Sequence, residues 1–393
     1  MAKRIDDICP RPDCIPELPG EPLAPPIHLS SVYRCQTPEE AAALLAGDLP
    51  GYAYRRDGHP NADLLAEKCR ELHAAERAVV TSSGMAALAL ALVSQTTVGD
   101  HLIVSNRLYG RSHGLLVDEA TARGLTSSVV DTSHLSAIEE AITPRTRLIV
   151  VETITNPLLR VANLSALVEL AREHNLLLVV DNSLAGPALC RPLELGVDLV
   201  VESLTKSMSG HGDVLLGLLA GGERVWQRVP QALSTWGWTA AAFDCWLAAR
   251  GLETLALRVE RTSAGALEVA RYLATGPAAI EVVHYPGLPN HADHDLAIRQ
   301  FGGRFGSLVT FTLSGGLPAA IEFIAAAKGI PFCPSFGENS TTLSHPASTS
   351  HRVLSPEARH SLGISDGTIR LSVGIESSDT ILDRLAEALA RAR

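Results

Sequence analysis

Short apolar runs alternate with helical stretches between about residues 78 and 220. The runs read RAVVTSS, HLIVS, SVVD, RLIVVE, LLLVVD and DLVVES, and stretches such as GMAALALALV and LSALVELAREH lie between them. Near-continuous apolar strands that alternate with helices are typical of a parallel sheet buried on both faces. The pattern therefore predicts a doubly wound, mostly parallel α/β sheet.

The two ends of the chain differ from this middle part. Residues 1–50 are rich in proline and lack a sustained hydrophobic period, which predicts an extended N-terminal arm. Beyond about residue 248 a long helix, ARGLETLALRVERTSAGALEVARYLA, precedes the alternating segments SLVTFTLS and TIRLSVGIE and a closing helix, DTILDRLAEALARA. We predict an arm over 1–50, an α/β domain over 51–248 and an α+β C-terminal domain over 249–393.

Composition narrows the class of partner. The chain has 393 residues, of which 46% are hydrophobic and 19% charged, so it can bury a large core. Its net charge of −10 is spread among interspersed acids and bases, which argues against nucleic acid as a partner. The start, MAKRIDDICP, has no signal-like apolar core, and the run AALALALV is too short to cross a bilayer. We expect a cytoplasmic protein with a small-molecule partner and no membrane association.

The cysteines do not suggest a structural framework. There are seven, they are scattered, and none has CxxC spacing, which predicts reduced thiols and no metal site. A regulatory disulfide between Cys9 and Cys14 is the less favoured alternative.

Polar residues follow three successive apolar strands. In an open α/β sheet, ligands bind beyond the carboxyl ends of the strands, where such residues meet. The residues concerned are Glu152 and Asn156, then Asp181, and then Ser203, Thr205 and Lys206. An acid and a lysine at one rim can form either a structural ion pair or part of a reactive site.

The surroundings of Lys206 favour the reactive site. In VVESLTKSMSGHGD, hydroxyl residues and glycines surround the lysine, and they suit a phosphate group better than an ion pair. A second candidate for phosphate binding is TSSGMAAL, where Gly84 opens a helix. A lysine, an acid and two anion-binding elements together fit pyridoxal 5′-phosphate (PLP). The lysine forms a Schiff base with the cofactor, and the acid keeps its pyridine nitrogen protonated.

The chain resembles the Cys/Met-metabolism family of PLP-dependent enzymes from about residue 52 to its end. The resemblance is carried by SLTKSMSGHGD, VVDNSLAGPAL, VETITNPLLR and HPASTSHRVLSPEARHSLGISDGTIRLSVGIE. It implies the aminotransferase-like fold (fold type I). It also implies a carbon–sulfur lyase or γ-replacement enzyme acting on an amino acid derived from homoserine or homocysteine. Cystathionine γ-synthase, cystathionine and methionine γ-lyases and O-acetylhomoserine sulfhydrylase belong to that family.

The resemblance also assigns roles to individual residues. Lys206 would hold the cofactor and move protons, Asp181 would pair with the pyridine nitrogen, and Tyr109 would stack on the ring and assist proton transfer. The phosphate would be bound by Ser203, Thr205, Gly84 and Met85. The substrate α-carboxylate would be bound by Arg370 with Ser335 and Asn156.

Two further residues imply shared active sites. Tyr54 and Arg56, in YAYRRDGHP, match family positions that reach the cofactor phosphate of a neighbouring subunit. The resemblance therefore implies a homo-oligomer of at least two chains, usually a tetramer, in which N-terminal arms help to join the subunits.

Several positions depart from the family pattern. His59-Pro60-Asn61 replaces the common Asn-Pro-Thr, and Arg111 follows Tyr109-Gly110, where relatives have cysteine or a small residue. We interpret Arg111 as a cation for a second carboxylate, either on the substrate or on its leaving group. Ser340 stands where cystathionine-type enzymes carry glutamate, and Glu338 stands where sulfhydrylases and methionine γ-lyases often carry aspartate. These differences favour the lyase and sulfhydrylase branch.

Other interpretations remain open. An aminotransferase or decarboxylase shares the strand-end acid and lysine, and a γ-substitution enzyme of secondary metabolism would use the same site. A binding protein without activity is disfavoured because Lys206, Asp181, Tyr109 and Arg370 are all present.

Overall fold

The computed structural model describes residue 20, residues 22–276 and residues 278–391. Cys9 and Cys14, on which the disulfide alternative depends, lie outside the described residues. The cysteines within them, Cys35, Cys69, Cys190, Cys245 and Cys333, are free thiols.

A seven-stranded sheet forms the centre of the α/β part. Its strands are β1 (Arg77–Thr81), β2 (His101–Ser105), β3 (Thr126–Val130), β4 (Thr146–Glu152), β5 (Leu177–Asp181), β6 (Leu199–Ser203) and β7 (Gly217–Gly221). They are ordered β1-β7-β6-β5-β4-β2-β3. Neighbouring strands from β6 to β3 run parallel, whereas β7 is antiparallel to both of its neighbours. The mostly parallel sheet is confirmed, and each of the six apolar runs forms a strand.

Strand β7 was not predicted from its sequence, GLLAG. A Cβ atom on Gly217 would lie 2.2 Å from the Ser83 carbonyl oxygen, and one on Gly221 would lie 2.7 Å from that of Asp198. Glycine is therefore required at both ends of the strand. The same glycines remove the β-branched residues that mark the other strands.

Helices cover both faces of the sheet. In the α/β part the helices include α2 (Pro60–Leu72), α3 (Gly84–Gln95), α4 (Gly110–Gly114), α5 (Leu135–Ala141), α6 (Leu164–Glu173), α7 (Val229–Trp236) and α8 (Ala242–Leu252), and the preceding arm contains α1 (Pro38–Ala46). Side chains of a strand alternate between the faces. Val179 of β5 accordingly packs in the same cluster as residues of α3 and α7, while Leu178 and Val180 pack with residues of α6.

The N-terminal arm is not extended throughout, because it contains α1. Thr37 caps this helix by accepting a hydrogen bond from the Glu40 N–H at 3.1 Å, and Pro38 occupies its first position. The sequence TPEE carries this capping signal, so the expectation of a wholly extended arm was wrong over residues 38–46.

The C-terminal part has helices packed on a second sheet. Its elements are α9 (Leu255–Thr275), β8 (Ile280–His284), α10 (His294–Phe301), β9 (Leu308–Leu313), α11 (Gly316–Ala326), β10 (Thr342–Ser344), α12 (Pro356–Ser361), β11 (Thr368–Ser372) and α13 (Ser378–Leu389). The four strands are antiparallel in the order β10-β11-β9-β8. The predicted α+β character is confirmed.

The long helix predicted over residues 249–274 is two helices, α8 and α9. The chain turns at residues 253 and 254 because Gly251 packs against another segment, where a Cβ atom would lie 2.4 Å from the Ser209 carbonyl oxygen. The Gly251 carbonyl also accepts a hydrogen bond from Arg258. The predicted boundary between residues 248 and 249 thus falls inside α8, and the three-part division stays a prediction. Within the described ranges, no helix is both long enough and apolar enough to span a membrane.

Candidate active site

A cavity of about 220 Å³ lies at the carboxyl ends of the parallel strands. Parallel strands deliver their terminal residues to one edge, which explains why residues far apart in the sequence meet there. The cavity is lined by nine of the predicted site residues, namely Gly84, Met85, Tyr109, Asn156, Asp181, Ser203, Thr205, Lys206 and Arg370.

Lys206 lies in the turn after β6 without a carboxylate partner among the ion pairs of the described residues. Its Nζ donates to the Ser335 hydroxyl at 2.9 Å and lies 4.9 Å from the centre of the Phe336 ring. Burial lowers the pKa of Lys206, the nearby Glu338 charge opposes that shift, and Arg370 adds to it. The structural ion pair with Asp181 is therefore not formed, and the amine loses its proton more readily than an exposed lysine.

Two carboxyl groups lie side by side at the ends of β4 and β5. Glu152 and Asp181 are register partners. Glu152 accepts backbone hydrogen bonds from Tyr109 at 2.7 Å and Asn156 at 3.4 Å, and Asp181 accepts one from Ser183 at 2.9 Å. Burial raises the pKa of both, and the Asp181 charge raises that of Glu152 further. In the described part of the chain neither carboxyl has a cationic partner, so the site is suited to a positively charged N–H donor.

The start of α3 and the end of β6 form a cradle for an anion. Ser83 caps α3 through a 3.1 Å hydrogen bond from the Ala86 N–H, and the first N–H groups of a helix have no acceptor within it. A Cβ atom on Gly84 would lie 2.9 Å from the Ser203 Cβ. Glycine at this position therefore lets the helix end approach Ser203 closely.

Thr205 is engaged differently from its predicted role. Its hydroxyl donates to the Leu216 carbonyl at 3.2 Å and accepts from the Leu216 N–H at 3.1 Å. The side chain thus joins the lysine-bearing turn to the segment that enters β7. Its contact with a phosphate stays a prediction.

Arg370 is a buried cation on β11. Its guanidinium donates to the Asn156 side-chain oxygen at 2.8 Å and to the Ser335 carbonyl at 2.7 Å. Its Nε is buried without a described partner. Burial lowers the pKa of Arg370 to about 10, which still leaves it charged at neutral pH. A cation that lines the cavity with spare donor capacity is suited to a carboxylate.

These groups fit PLP. The cofactor offers an aldehyde for an amine without a counter-charge, a pyridine nitrogen for an unpaired carboxylate, and a phosphate for a helix end and hydroxyl groups. Lys206, Asp181 and the cradle at Gly84 and Ser203 place the partners of these three cofactor groups in one cavity. Among the described residues, the cavity included, no group of three or more His, Cys, Asp or Glu side chains is arranged to hold a metal ion.

Four predicted residues lie outside the cavity lining, namely Tyr54, Arg56, Arg111 and Ser335. Tyr54 is 42% exposed, and the Arg56 guanidinium lies 4.9 Å from its ring centre and 3.8 Å from Asp57. Arg111 is exposed between Tyr109 and Ser112, which both line the cavity. Their roles stay predictions, and for Tyr54 and Arg56 the predicted site is that of a neighbouring subunit. Ser335 does not line the cavity, although it contacts both Lys206 and Arg370.

The departures at His59 and Asn61 have a structural explanation. His59 caps α2 by accepting from the Ala62 N–H at 3.2 Å, and its other ring nitrogen lies 3.2 Å from the Ala240 carbonyl. Burial lowers the pKa of His59. Asn61 donates to the Pro26 carbonyl and accepts from the His28 N–H, both at 2.8 Å. These residues fix α2 and the arm.

The loop that carries Glu338 packs directly on the lysine turn. A Cβ atom on Gly337 would lie 2.6 Å from the Ser207 nitrogen. One oxygen of Glu338 is buried without a described partner, whereas Ser340 is exposed.

Sequence reasoning did not assign a role to several residues of the lining. These are Ser83, Ser112, Glu152, Ser183 and Phe336. The sequence singled out Glu152 at its strand end but gave it no role. Ser183 lies just beyond a strand end, which is a signal that could have identified it, while Phe336 has no such signal.

Comparison with known proteins gives consistent matches over nearly the whole chain. The family described as Cys/Met metabolism PLP-dependent enzyme matches residues 19–390. O-succinylhomoserine sulfhydrylase of Pseudomonas aeruginosa is 40% identical over 93% of this chain and 90% of its own length. L-methionine gamma-lyase of Pseudomonas putida is 36% identical over 95% of this chain and 94% of its own length.

Solved structures agree with these matches. A putative O-acetylhomoserine (thiol)-lyase of Campylobacter jejuni has a TM-score of 0.90 at 28% identity, covering 93% of this chain and 95% of its own, and it contains a pyridoxyl-lysine phosphate. Cystathionine gamma synthase of Xanthomonas oryzae in complex with cystathionine has a TM-score of 0.88 at 35% identity, with coverage of 94% and 93%.

Proposed function

Because the chain belongs to the family of Cys/Met metabolism PLP-dependent enzymes, we propose that it exchanges the γ substituent of an O-acylated homoserine for sulfide or a thiol. PLP is its cofactor, and its class is that of carbon–sulfur lyases and γ-replacement enzymes. Family membership favours this class over the aminotransferase, decarboxylase and binding-protein alternatives. The relatives named O-succinylhomoserine sulfhydrylase and O-acetylhomoserine (thiol)-lyase support the choice of substrate.

One observation carries the proposal: Lys206, Asp181 and Arg370 line a single cavity, and none of them has a counter-ion among the described ion pairs. Bound there, PLP supplies an aldehyde that condenses with amines and a ring that stabilises negative charge on the carbon atoms of an amino acid. Asp181, unpaired and next to Glu152, would hold the cofactor's ring nitrogen in its protonated form. The pyridoxyl-lysine of the Campylobacter jejuni protein supports Lys206 as the cofactor-bearing lysine.

The other residues of the site bind the substrate and move its protons. Arg370 and Asn156 would hold the α-carboxylate, since the guanidinium is already oriented by the 2.8 Å hydrogen bond between them. Lys206, with its lowered pKa, would accept the α proton and then a β proton so that the γ substituent can leave. It would return protons to the β and α carbons once the thiol has bonded to the γ carbon, and Ser335 positions its Nζ at 2.9 Å. Arg111, exposed beside the cavity, would bind the second carboxylate of a succinyl group.

Elimination at the γ carbon is the second candidate. Relatives named L-methionine gamma-lyase are 33–36% identical over at least 93% of the chain, and elimination uses the same residues as replacement. In replacement a thiol adds before the product leaves, whereas in elimination a keto acid and ammonia are released.

The assembly we propose is a homo-oligomer with shared active sites. It contains at least two chains, and the resemblance to the family favours a tetramer. Apolar side chains of the described arm support this, since Leu23 is 104%, Leu29 65% and Val32 64% exposed in the single chain. Another copy would cover such a surface. A cytoplasmic location stays a prediction.

The experiment that tests the function supplies purified enzyme with O-succinylhomoserine, O-acetylhomoserine, cystathionine or methionine, each with and without sulfide. We expect homocysteine to form from an O-acylhomoserine only when sulfide is present. Keto acid and ammonia from methionine without a thiol would instead establish the elimination candidate. No turnover of any of the four by the PLP-saturated enzyme would contradict both.

A further inference from the structure

Arg258 of α9 is a buried cation directly beneath the turn that bears Lys206. It is 7% exposed. Its guanidinium donates to the Ser207 carbonyl at 2.6 Å, the Met208 carbonyl at 3.0 Å and the Gly251 carbonyl at 2.8 Å. Its Nε donates to the Thr254 hydroxyl at 3.1 Å. Every acceptor is neutral, and within the described part of the chain no carboxylate forms an ion pair with it.

Residues 206–210, here called the lysine turn, are shaped around this guanidinium. Two of the accepting carbonyls belong to the residues that follow Lys206 immediately. A Cβ atom on Gly210 would lie 2.2 Å from the Arg258 Nη1, and Gly210 has a φ of +75°. Glycine is thus required at this position both by its backbone conformation and by the guanidinium.

The opposite side of the lysine turn is held by the loop over residues 335–339. The Asn339 N–H donates to the Gly210 carbonyl at 2.9 Å, and Gly337 packs on the Ser207 nitrogen. Ser335 of the same loop accepts a hydrogen bond from Lys206 Nζ. The turn is therefore fixed between α9 on one side and this loop on the other.

Burial of a charge without a counter-ion is unfavourable, so the hydrogen bonds of Arg258 must offset a desolvation penalty. Burial accordingly lowers the pKa of Arg258. A neutral side chain would avoid this penalty, but none has enough N–H donors to make all four hydrogen bonds, which join two carbonyls of the lysine turn to Gly251 and Thr254.

We propose that Arg258 is a positioning residue that fixes the backbone of the lysine turn and so orients Lys206 in the cavity. The inference rests on the proposed role of Lys206 and deepens it. It names a residue of α9 that determines how well the lysine meets the cofactor, although Arg258 does not line the cavity.

The test compares Arg258→Met with a matched control, Arg261→Met. Arg261 lies one turn further along α9 and also donates to two backbone carbonyls, those of Ile375 at 3.3 Å and Glu376 at 2.7 Å. These carbonyls lie outside the lysine turn. A general effect of removing an arginine from α9 should therefore appear in both variants.

Two readouts are used. The first is amide hydrogen exchange of Ser209 and Gly210 in the cofactor-free protein, where their N–H groups donate to Leu204 and Lys206 carbonyls at 3.1 and 2.9 Å. The second is the dissociation constant of PLP, followed by absorbance. We expect Arg258→Met to speed exchange in the turn and to weaken PLP binding by about tenfold, while Arg261→Met changes neither.

Unchanged exchange and PLP affinity in Arg258→Met would overturn the proposal, and so would equal losses in the two variants. If Arg258→Met does not fold, Arg258→Lys is measured in the same way. It keeps the charge but not the fork of donors, so the same selective increase in exchange is expected and its absence overturns the proposal. Because exchange is measured without cofactor, it tests whether Arg258 fixes the lysine turn even if another lysine bears PLP.

Discussion

Opposing influences act on the amine of Lys206. Burial lowers its pKa, and the charge of Glu338 partly restores it. Beside it, two carboxyls are buried next to each other without a cation, so each has a raised pKa. The cofactor-free site is therefore electrostatically strained, and binding a cationic ring nitrogen relieves part of that strain.

Removing the charge of Glu338 should lower the pKa of Lys206. Glu338→Gln abolishes an interaction that favours the ammonium form, so the amine should lose its proton at a lower pH. We expect the rate at which an amine reagent modifies Lys206 in the cofactor-free protein to rise at a lower pH than in the parent. Peptide mass spectrometry gives this rate, with the exposed Lys328 as internal reference. Glu338→Asp should keep the parent profile, and identical profiles for the Gln variant and the parent would refute the prediction.

Asp181→Asn should stabilise the cofactor-free protein at high pH and weaken PLP binding. Because the folded-state pKa of Asp181 is raised, the folded protein binds this proton more tightly than the unfolded chain does. Stability is therefore lost as the pH rises through the folded pKa. The variant should unfold roughly 1–3 °C above the parent at pH 8 and show no gain at pH 4.

Calorimetry of the two proteins checks this, with Asp131→Asn as control. Asp131 is hydrogen-bonded to Ser133 and paired with Arg107, and its pKa is lowered to about 2. Replacing Asp131 with asparagine should therefore destabilise the folded protein at pH 8. A lower unfolding temperature for Asp181→Asn at pH 8 would contradict the prediction.

At the scale of elements, the strand ends were predictable and several other features were not. Apolar runs of β4, β5 and β6 identify both the sheet and the edge at which Asp181 and Lys206 meet. The strand β7, the break between α8 and α9 and the role of Arg258 depend on close contacts between distant segments. Such contacts, for example that of Gly251 with Ser209, leave no periodic signal in the sequence. The helix α1 was missed although its TPEE cap was visible.

The start of α3 should bind the phosphate only while position 84 is glycine. Gly84→Ala places a Cβ 2.9 Å from that of Ser203 and pushes the helix end from the strand. We expect PLP affinity to fall by about tenfold or more, because the anion loses aligned N–H donors. Gly114→Ala, also in a helix but with its Cβ 3.8 Å from the nearest atom, is the control and should not weaken binding. Equal affinity in both variants would argue against a phosphate at α3.

The cap of α2 should make stability depend on pH. His59 accepts the Ala62 N–H only when neutral, and its folded-state pKa is lowered. Its contribution is therefore present above the unfolded pKa and is lost as the pH falls through the folded value. His59→Ala should reduce the free energy of unfolding by about 1 kcal/mol at pH 8 and by less at pH 5.

Denaturant unfolding at the two pH values measures this difference. Thr37→Ala removes the non-titrating cap of α1 and should show a loss that is independent of pH. A pH-independent loss for His59→Ala as well would count against the role of its ring nitrogen.

At the scale of the whole molecule, two of the predicted site residues have no contact with the cavity of their own chain. Tyr54 and Arg56 are exposed and lie outside their own cavity, and apolar residues of the preceding arm are exposed as well. A neighbouring copy would give both the residues and the arm a function.

Mixing two inactive variants should restore activity if sites are shared. Arg56→Ala lacks the residue given to the neighbour, and Lys206→Ala lacks the lysine of its own site. After dissociation and reassembly in equal amounts, about one quarter of all sites in dimeric units would have both residues intact. Activity assays before and after mixing test this expectation. No recovery, while size measurement shows that mixed oligomers have formed, would mean that each site is built from one chain.

The most direct test of the central claim locates the cofactor on the chain. The sequence has four lysines, Lys3, Lys68, Lys206 and Lys328. Borohydride reduction of the PLP-loaded protein, followed by peptide mass spectrometry, identifies the lysine that carries the pyridoxyl group. The site described above predicts the adduct on Lys206 and its loss in Lys206→Ala. An adduct on another lysine, or none in a fully loaded protein, would contradict it.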